Sequence, residues 1–180
     1  MCGTHDDGVN VDGDVTFEDV YGDLELYGRL FGTGDEAARV IADMRERVSA
    51  VEQDTGQGAP LKAAVLWPGG GVPYGYGNSS MTHTMLGSLG LTNVFADVSG
   101  FGREISKEEL IDRNPDVIVL YLFGEDPTEE ISALKALPGI AEVTAIREDH
   151  IMALQSTFLR PSAGVVDGLE MMATELASYR

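Results

Sequence analysis

The segment 114–122, NPDVIVLYL, constrains the fold more than any other part of the chain. An Asn-Pro turn leads into six consecutive apolar residues with no polar alternation, a pattern expected of a parallel strand covered on both faces. The preceding segment 105–113 has helical spacing, with Ser106 as N-cap and Glu109 three residues later in a capping box. A helix that runs through a tight turn into a buried strand is half of a βαβ unit. The sequence therefore predicts an α/β domain.

The composition excludes several classes of protein. A chain of 180 residues, 43% of them hydrophobic, has the size and composition of one globular domain. Its net charge of −18 argues against nucleic acid or an anionic membrane surface as a partner. No apolar run approaches the roughly 20 residues that span a bilayer, and no secretory signal is present, so we expect the chain as given to be mature or cut. The single cysteine, Cys2, excludes an internal disulfide.

No metal site is predicted from the sequence. Residues 10–14 are similar to part of an EF-hand loop, but with Gly13 as the sixth position Gly8 would stand where an Asp is needed. His83 has no second His or Cys at metal-ligand spacing. The sequence also contains no recognisable nucleophile or cofactor fingerprint, which favours a binding module over an enzyme.

The first third of the chain predicts two helices. The first begins at Thr16, and its apolar positions at helical spacing are Phe17, Val20, Leu24, Tyr27 and Phe31. The second covers residues 33–56, and its apolar positions are Ala37, Ile41, Met44, Val48 and Val51. Because polar and charged residues fill most of its other positions, the second helix is expected to bury one stripe and expose the rest.

Strands and helices alternate from residue 61 onward. The predicted strands are 61–67, 93–98, 117–122 and 151–154. The predicted helices are 81–89, 105–113, 129–137 and 161–179, with a Gly- and Tyr-rich loop over 68–80 and a hairpin-like turn at 147–150. This alternation predicts a three-layer α/β/α Rossmann-like lobe with a mostly parallel central sheet, preceded by a long connecting helix.

The candidate site lies at the carboxyl ends of the strands, where open α/β sheets bind their ligands. Three unusual segments follow strands there: 68–83, 123–126 and 155–160. They contribute the candidate ligand-binding residues Tyr74, Tyr76, Asn78, His83, Phe123, Phe158 and the cation Arg160. The glycine-flanked tyrosines suit stacking against a flat or apolar ligand. Two alternatives stay open: a loop that merely covers the sheet end, and a phosphate cradle made by N–H groups of residues 78–82.

Several stretches, in order over most of the chain, resemble one known family. They are 20–32, the helix 37–51, 85–94, 105–110 running into 114–119, 137–139, 145–154 and 158–160. Together they resemble the helical-backbone substrate-binding proteins of ABC importers for ferric siderophores, haem and cobalamin.

The resemblance implies a two-lobed receptor with its ligand between the lobes and a long helix joining them. Residues 1–32 would then be a remnant of the first lobe with a lead-in helix, 33–56 the inter-lobe helix, and 57–180 the C-terminal ligand-binding lobe. The family's ligand-facing positions fall on Tyr74, Tyr76, His83, Phe158 and Arg160. Its permease-docking acid falls on Glu108; the residues alone allow ordinary first-turn helix stabilisation equally well.

The resulting hypothesis is an extracytoplasmic, monomeric solute receptor without a resident cofactor. It would bind a ferric siderophore, haem or a cobalamin-like chelate and deliver it to a membrane permease. Lacking most of the first lobe, the chain is expected to bind weakly or not at all alone. The alternatives are a Rossmann-type enzyme domain acting on a phosphorylated or nucleotide substrate, and a receptor-like lobe kept for protein contacts only.

Overall fold

The computed structural model describes residues 13–54, 60–68, 72–124 and 126–179. Cys2, His5 and most of the 10–14 segment lie outside the described residues. The helices are α1 (Phe17–Phe31), α2 (Gly34–Asp54), α3 (Met81–Ser88), α4 (Lys107–Arg113), α5 (Thr128–Lys135), α6 (Thr144–Arg147) and α7 (Val165–Ala177). The strands are β1 (Lys62–Trp67), β2 (Tyr74–Tyr76), β3 (Thr92–Asn93), β4 (Gly102–Glu104), β5 (Val117–Leu122) and β6 (Ile151–Gln155). Two 3-10 turns cover Ile140–Glu142 and Ser156–Phe158.

The sheet is arranged around β5. Its strand order is β4-β2-β1-β5-β6, and β3 pairs with the first half of β1. Strands β1, β3, β5 and β6 are parallel, whereas β2 and β4 are antiparallel additions at one side. All six residues of β5 are buried, which confirms the prediction of a strand covered on both faces.

Alternate strand residues face two separate cores. On one face, Val65 and Val119 pack with apolar side chains of α1, α2, α3 and α7. On the other face, Leu66 and Leu120 pack with side chains of α4, α5 and α6. Helices on both sides of a mostly parallel sheet confirm the predicted α/β/α architecture. Among the described helices, none has the length and apolarity required to cross a bilayer.

Helices α1 and α2 form an antiparallel hairpin that packs on the lobe through only part of its length. In α2, Ile41, Met44, Val48 and Val51 are buried, as the sequence predicts. The predicted stripe of α1 is wrong in its second half, because Tyr27 and Phe31 are 52% and 76% exposed. The physical reason is that α1 contacts the lobe through its first turns and thereafter packs on α2.

An arginine of α2 links the hairpin to the lobe through an ion cluster. Arg47 of α2 donates from Nε and Nη2 to the Glu170 carboxylate of α7 at 2.8 and 2.6 Å, and from Nη2 to Asp167 at 2.5 Å. The hydrogen bonds from Arg47 hold the pKa of Glu170 below its usual value. Since these groups are partly exposed, we expect the ion cluster to define orientation more than to add stability.

The predicted loop over 68–80 is partly wrong, because Tyr74–Tyr76 forms β2 between β1 and β4. Glycine in this segment serves close packing within the sheet. A β-carbon at Gly75 would approach the side chains of Ile105 and Phe95 to 3.1 and 3.2 Å, and one at Gly102 would lie 2.4 Å from the Gly75 oxygen. Gly75, one of the glycines that suggested a loop, and Gly102 therefore allow β2 and β4 to pair closely within the sheet.

The predicted strand 93–98 is wrong beyond Asn93. The Asn93 side-chain oxygen accepts a hydrogen bond from the Phe95 N–H at 2.9 Å, and the Asn93 carbonyl accepts one from the Ala96 N–H at 3.1 Å. These bonds close a turn, as asparagine side chains commonly do. The chain leaves the sheet at this point, and Phe95 is fully buried.

The predicted hairpin-like turn at 147–150 is also wrong, because a helix and not a strand precedes it. Helix α6 is followed by Asp149 in the left-handed conformation, with a φ of 59°. The His150 N–H then donates to the Ala145 carbonyl at 2.8 Å. The chain thereby passes from a helix end directly into the parallel strand β6.

Two glycines of α1 give a matched stability test. A β-carbon at Gly28 would lie 2.7 Å from the Ala37 β-carbon, whereas one at Gly22 meets nothing within 4 Å. Gly22→Ala should stabilise the fold by up to about 1 kcal/mol through helix propensity. Gly28→Ala should destabilise it by about 1–3 kcal/mol, because the helices must separate. Urea unfolding of both variants tests this prediction; equal midpoints would contradict the close crossing.

Candidate functional site

The alternation of strand residues brings aromatic rings together at the carboxyl ends of the central strands. Trp67 ends β1 and is the register partner of Tyr74, the first residue of β2. In β5, Tyr121 points to the same face of the sheet as Phe123, which lies two residues further along the chain, directly after the strand ends. We call these rings, with two neighbours, the aromatic edge. Its members are Trp67, Tyr74, Tyr76, Phe101, Tyr121 and Phe123.

The inner half of the aromatic edge is buried. Tyr76 and Tyr121 stack with ring centroids 4.8 Å apart and planes 18° from parallel, and they are 4% and 3% exposed. Phe101 and Tyr74 pack edge-on against Tyr76 at 5.1 and 5.5 Å. Burial raises the pKa of the Tyr76 phenol and of the Tyr121 phenol above the usual tyrosine value. Tyr76 is therefore a buried support for its neighbours, and its predicted role in stacking against a ligand stays a prediction.

The outer half of the aromatic edge faces solvent. Trp67 is 42% exposed and Phe123 is 59% exposed, and the two rings meet edge-to-face at 5.5 Å. Two large exposed rings, packed against each other over a buried aromatic layer, form a firm apolar surface. Surfaces of this kind commonly mark binding sites.

Arg160 lies across the aromatic edge. Its Nε donates to the Tyr121 hydroxyl at 3.2 Å, and its guanidinium carbon lies 5.5 Å from the Phe123 ring centroid. The hydrogen bond joins residues 39 positions apart in sequence. Tyr76 and Arg160 therefore reach the same aromatic edge and both contact Tyr121, Tyr76 through the ring and Arg160 through the hydroxyl.

Phe158 does not join this group. It is half-buried, and it makes no ring contact with the aromatic residues that the structure describes. Its backbone instead packs against α7, where a β-carbon at Gly168 would lie 2.2 Å from the Phe158 oxygen. The 3-10 turn over Ser156–Phe158 thus fixes the path of the chain toward Arg160.

Asn78 and His83 lie away from the aromatic edge. Strand β2 is antiparallel to β1 and carries the chain back from the carboxyl ends, so α3 begins nearer the middle of the sheet. The Asn93 side chain donates to the Tyr76 carbonyl at 3.1 Å and lies 3.4 Å from His83 Nδ1. Asn93 pairs with Ala63, near the amino end of β1. The expectation that the whole 68–83 segment meets at one edge is therefore wrong.

Two of the five N–H groups considered for a phosphate cradle, those of Asn78 and Ser79, are occupied within the protein. The Asn78 N–H donates to the Val98 carbonyl and the Ser79 N–H to the Gly100 carbonyl, both at 3.1 Å. The His83 N–H donates to Ser80, the N-cap of α3. The Asn78 and Ser79 bonds remove two of the five donors considered for residues 78–82, and the phosphate-binding alternative stays a prediction.

Glu108 lies on a different surface, in the first turn of α4. The Ser106 hydroxyl accepts from the Glu109 N–H at 3.1 Å, which confirms Ser106 as N-cap. The Glu109 carboxylate does not complete a capping box, because it accepts from Arg103 at 2.7 Å and Arg113 at 2.8 Å. The bond from Arg103, followed by that from Arg113, holds the pKa of Glu109 low.

The side chain of Glu108 remains accessible beside this network. It is 69% exposed, with Lys107 Nζ 3.7 Å from its carboxylate. Glu108 also lines a shallow groove together with Val72, Pro73 and Leu137. Within the described residues, no group of three or more His, Cys, Asp or Glu could hold a metal ion.

Sequence reasoning missed three members of the aromatic edge. Trp67 and Phe101 are not among the predicted ligand-binding residues, and Tyr121 is placed only within the buried strand. A weak signal existed for Tyr121, since residues two apart in a strand share a face and Phe123 was already a candidate. The contact between Tyr121 and Arg160 had no sequence signal.

An α/β lobe with an aromatic, arginine-bearing surface at its strand ends has the architecture of a ligand-binding domain. The sequence profile described as periplasmic binding protein matches residues 8–157. The chain belongs to the periplasmic binding protein family. This confirms the family resemblance seen in the sequence.

Similar proteins include a cobalamin-binding protein of Halobacterium salinarum. It is 27% identical over 153 residues, which cover 81% of this chain and 40% of the relative. The structure titled ABC-type Fe3+-hydroxamate transport system from Saccharomonospora viridis is 42% identical, with a TM-score of 0.86 over 91% of this chain and 57% of the other. The periplasmic heme-binding protein RhuT from Roseiflexus sp. RS-1, 19% identical, shares the fold with a TM-score of 0.81 over 91% of this chain and 64% of the other. The chain therefore spans about half the length of these relatives.

The buried phenols make alkaline titration a test of the aromatic edge. Because the folded pKa of Tyr76 and of Tyr121 is raised, the stability that their neutral forms contribute is complete below about pH 10 and lost as pH rises through the folded values. At pH 10.5, we expect Tyr76→Phe to remove no phenolate absorbance from the folded protein. In urea, where the chain is unfolded, the same substitution should remove the phenolate absorbance of one tyrosine. If Tyr76→Phe removed the phenolate absorbance of one full tyrosine from the folded protein, the buried Tyr76–Tyr121 stack would be contradicted.

Proposed function

We propose that the chain is the ligand-binding lobe of a solute receptor that serves an ABC importer. The observation that carries the proposal is the aromatic edge with Arg160 across it, at the strand ends of a periplasmic binding protein lobe. The exposed rings of Trp67 and Phe123 supply apolar contact area, and the guanidinium supplies one charged contact. The receptor changes no covalent bond in its cargo and acts outside the cytoplasmic membrane.

The proposed cargo is a bulky metal chelate, either a ferric siderophore or a haem- or cobalamin-like complex. Ferric hydroxamate is favoured, because the 42% identical structure is titled as a Fe3+-hydroxamate transport protein. Cobalamin has weaker support from a relative at 27% identity. A chelate with an extended apolar surface would cover Trp67 and Phe123 together. The cargo's metal would arrive already chelated.

A second lobe is proposed to supply the opposite wall of the cleft. The end of the α1–α2 hairpin exposes a group of large apolar side chains, as a surface that packs against another domain would. They are Leu26, Tyr27, Leu30, Phe31 and Val40. The relatives, whose chains extend well beyond the matched part, support an additional lobe in this position. Residues 33–56 would then act as the inter-lobe helix and 57–180 as the C-terminal lobe.

Glu108 is proposed to contact an arginine of the permease. Its carboxylate is accessible, while the adjacent Glu109 is already bound to two arginines. A rigidly held helix start with one exposed acid, paired only at 3.7 Å with Lys107 among the described residues, suits reversible docking to a basic surface. The receptor is proposed to act as a monomer, with the permease as its protein partner.

Ligand binding can be tested on the chain itself, because Trp67 is its single tryptophan. Titration with a gallium trihydroxamate, a diamagnetic substitute for the ferric complex, should shift the NMR signals of the Trp67 indole, Phe123 and Arg160. Phe123→Ala should weaken binding about fivefold, since an aromatic contact contributes about 1 kcal/mol. Phe31→Ala, a change at a 76% exposed ring on the hairpin, is the matched control. Absence of shifts at millimolar chelate, both in the chain and in the longer, two-lobed protein, would overturn the proposed function.

Docking can be tested with the longer, two-lobed protein and its permease in nanodiscs. Glu108→Lys should lower the affinity for the permease about tenfold, because a charged contact becomes a repulsion. Glu148→Lys, a change at a half-exposed acid that pairs with Arg147, is the control. Equal affinities for both variants would remove Glu108 from the interface.

A further inference from the structure

The guanidinium of Arg160 is oriented before any ligand arrives. Its Nε is committed to the Tyr121 hydroxyl at 3.2 Å, and its guanidinium carbon lies over the Phe123 ring, 5.5 Å from the ring centroid. Among the described residues, no group accepts a hydrogen bond from either Nη of Arg160. The outer edge of the guanidinium, which carries two parallel donors, is therefore presented to the cleft side of the aromatic edge.

The hydroxyl that holds Arg160 is itself firmly placed. Tyr121 belongs to the fully buried strand β5 and stacks on Tyr76 at 4.8 Å. Tyr76 is fixed in turn by Phe101 and Tyr74. Because this stack fixes the position of the phenol, the direction of the Arg160 side chain is set by strand geometry and not by its own flexible stem.

A guanidinium with two free, parallel N–H donors matches a carboxylate, which accepts both bonds in one plane. The net charge of −18 on the chain disfavours polyanions, so one local cation suits one anionic group. The adjacent rings of Trp67 and Phe123 suit an apolar body next to that group.

We propose that the preferred cargo carries a single carboxylate beside its apolar chelate body, that Arg160 binds this carboxylate end-on, and that Tyr121 is the positioning residue that makes the contact selective. This inference rests on the proposed receptor function and narrows its ligand class. Tyr121 acts through Arg160 and contributes orientation, whereas Trp67 and Phe123 contribute the apolar contact.

The test uses two gallium complexes of one linear trihydroxamate, which differ only in a terminal carboxylate or the corresponding primary amide. The chain should bind the carboxylate probe about tenfold more tightly than the amide probe. Tyr121→Phe, which keeps the ring, should reduce this ratio to about two. Arg160→Lys, which keeps the charge but removes the planar guanidinium, should reduce it to the same extent. Tyr27→Phe, a change of an exposed tyrosine on α1, should leave the ratio at its wild-type value.

The outcomes separate the two proposals. If neither probe binds the chain or the longer, two-lobed protein, the receptor function fails, and the selectivity with it. If both bind the wild-type chain equally, the receptor function stands and the carboxylate preference is overturned. If Tyr121→Phe weakens both probes by the same factor, its role is structural and positioning is overturned. Circular dichroism melting of each variant verifies that the compared proteins are folded.

Discussion

The burial of β5 on both faces is the constraint on which the rest of the structure depends. Six successive residues without a solvent-facing side chain require a layer of helices on each side, and the two separate cores meet this requirement. Parallel neighbours on both sides then place the carboxyl ends of β1, β5 and β6 at one edge. The location of the proposed binding surface is therefore a consequence of how the centre of the sheet is covered.

The aromatic edge connects the core with the proposed function. Its inner rings, Tyr76 and Tyr121, belong to the same apolar cluster as the strands and the hairpin helices. Its outer rings, Trp67 and Phe123, extend into solvent, and Phe123 contacts Tyr121 with ring centroids 5.6 Å apart. A ligand on the outer rings would thus rest on a surface that is as closely packed as the interior. Such a surface has little conformational entropy to lose when cargo binds.

Features encoded locally were predictable from the sequence, and features made by distant contacts were not. The stripe of α2, the capping role of Ser106 and the burial of β5 follow from spacing within one element. Tyr27 and Phe31 share the spacing of a buried stripe, yet nothing in the sequence indicated that the lobe ends before them. Strand β2 was missed because it is three residues long and its glycine serves packing instead of a turn. The Arg160–Tyr121 contact was missed because it depends on neighbouring strands.

The attachment of the hairpin has a mechanical consequence. Arg47 holds α2 to α7, and the helix continues 13 residues further toward its amino end at Gly34. That length corresponds to about 20 Å, so a tilt of about 5° at the clamp displaces the end of the hairpin by about 2 Å. Small changes in side-chain geometry at the Arg47 ion cluster would therefore change the width of the gap that the hairpin spans. A receptor with a hinge at this position would open and close over short distances.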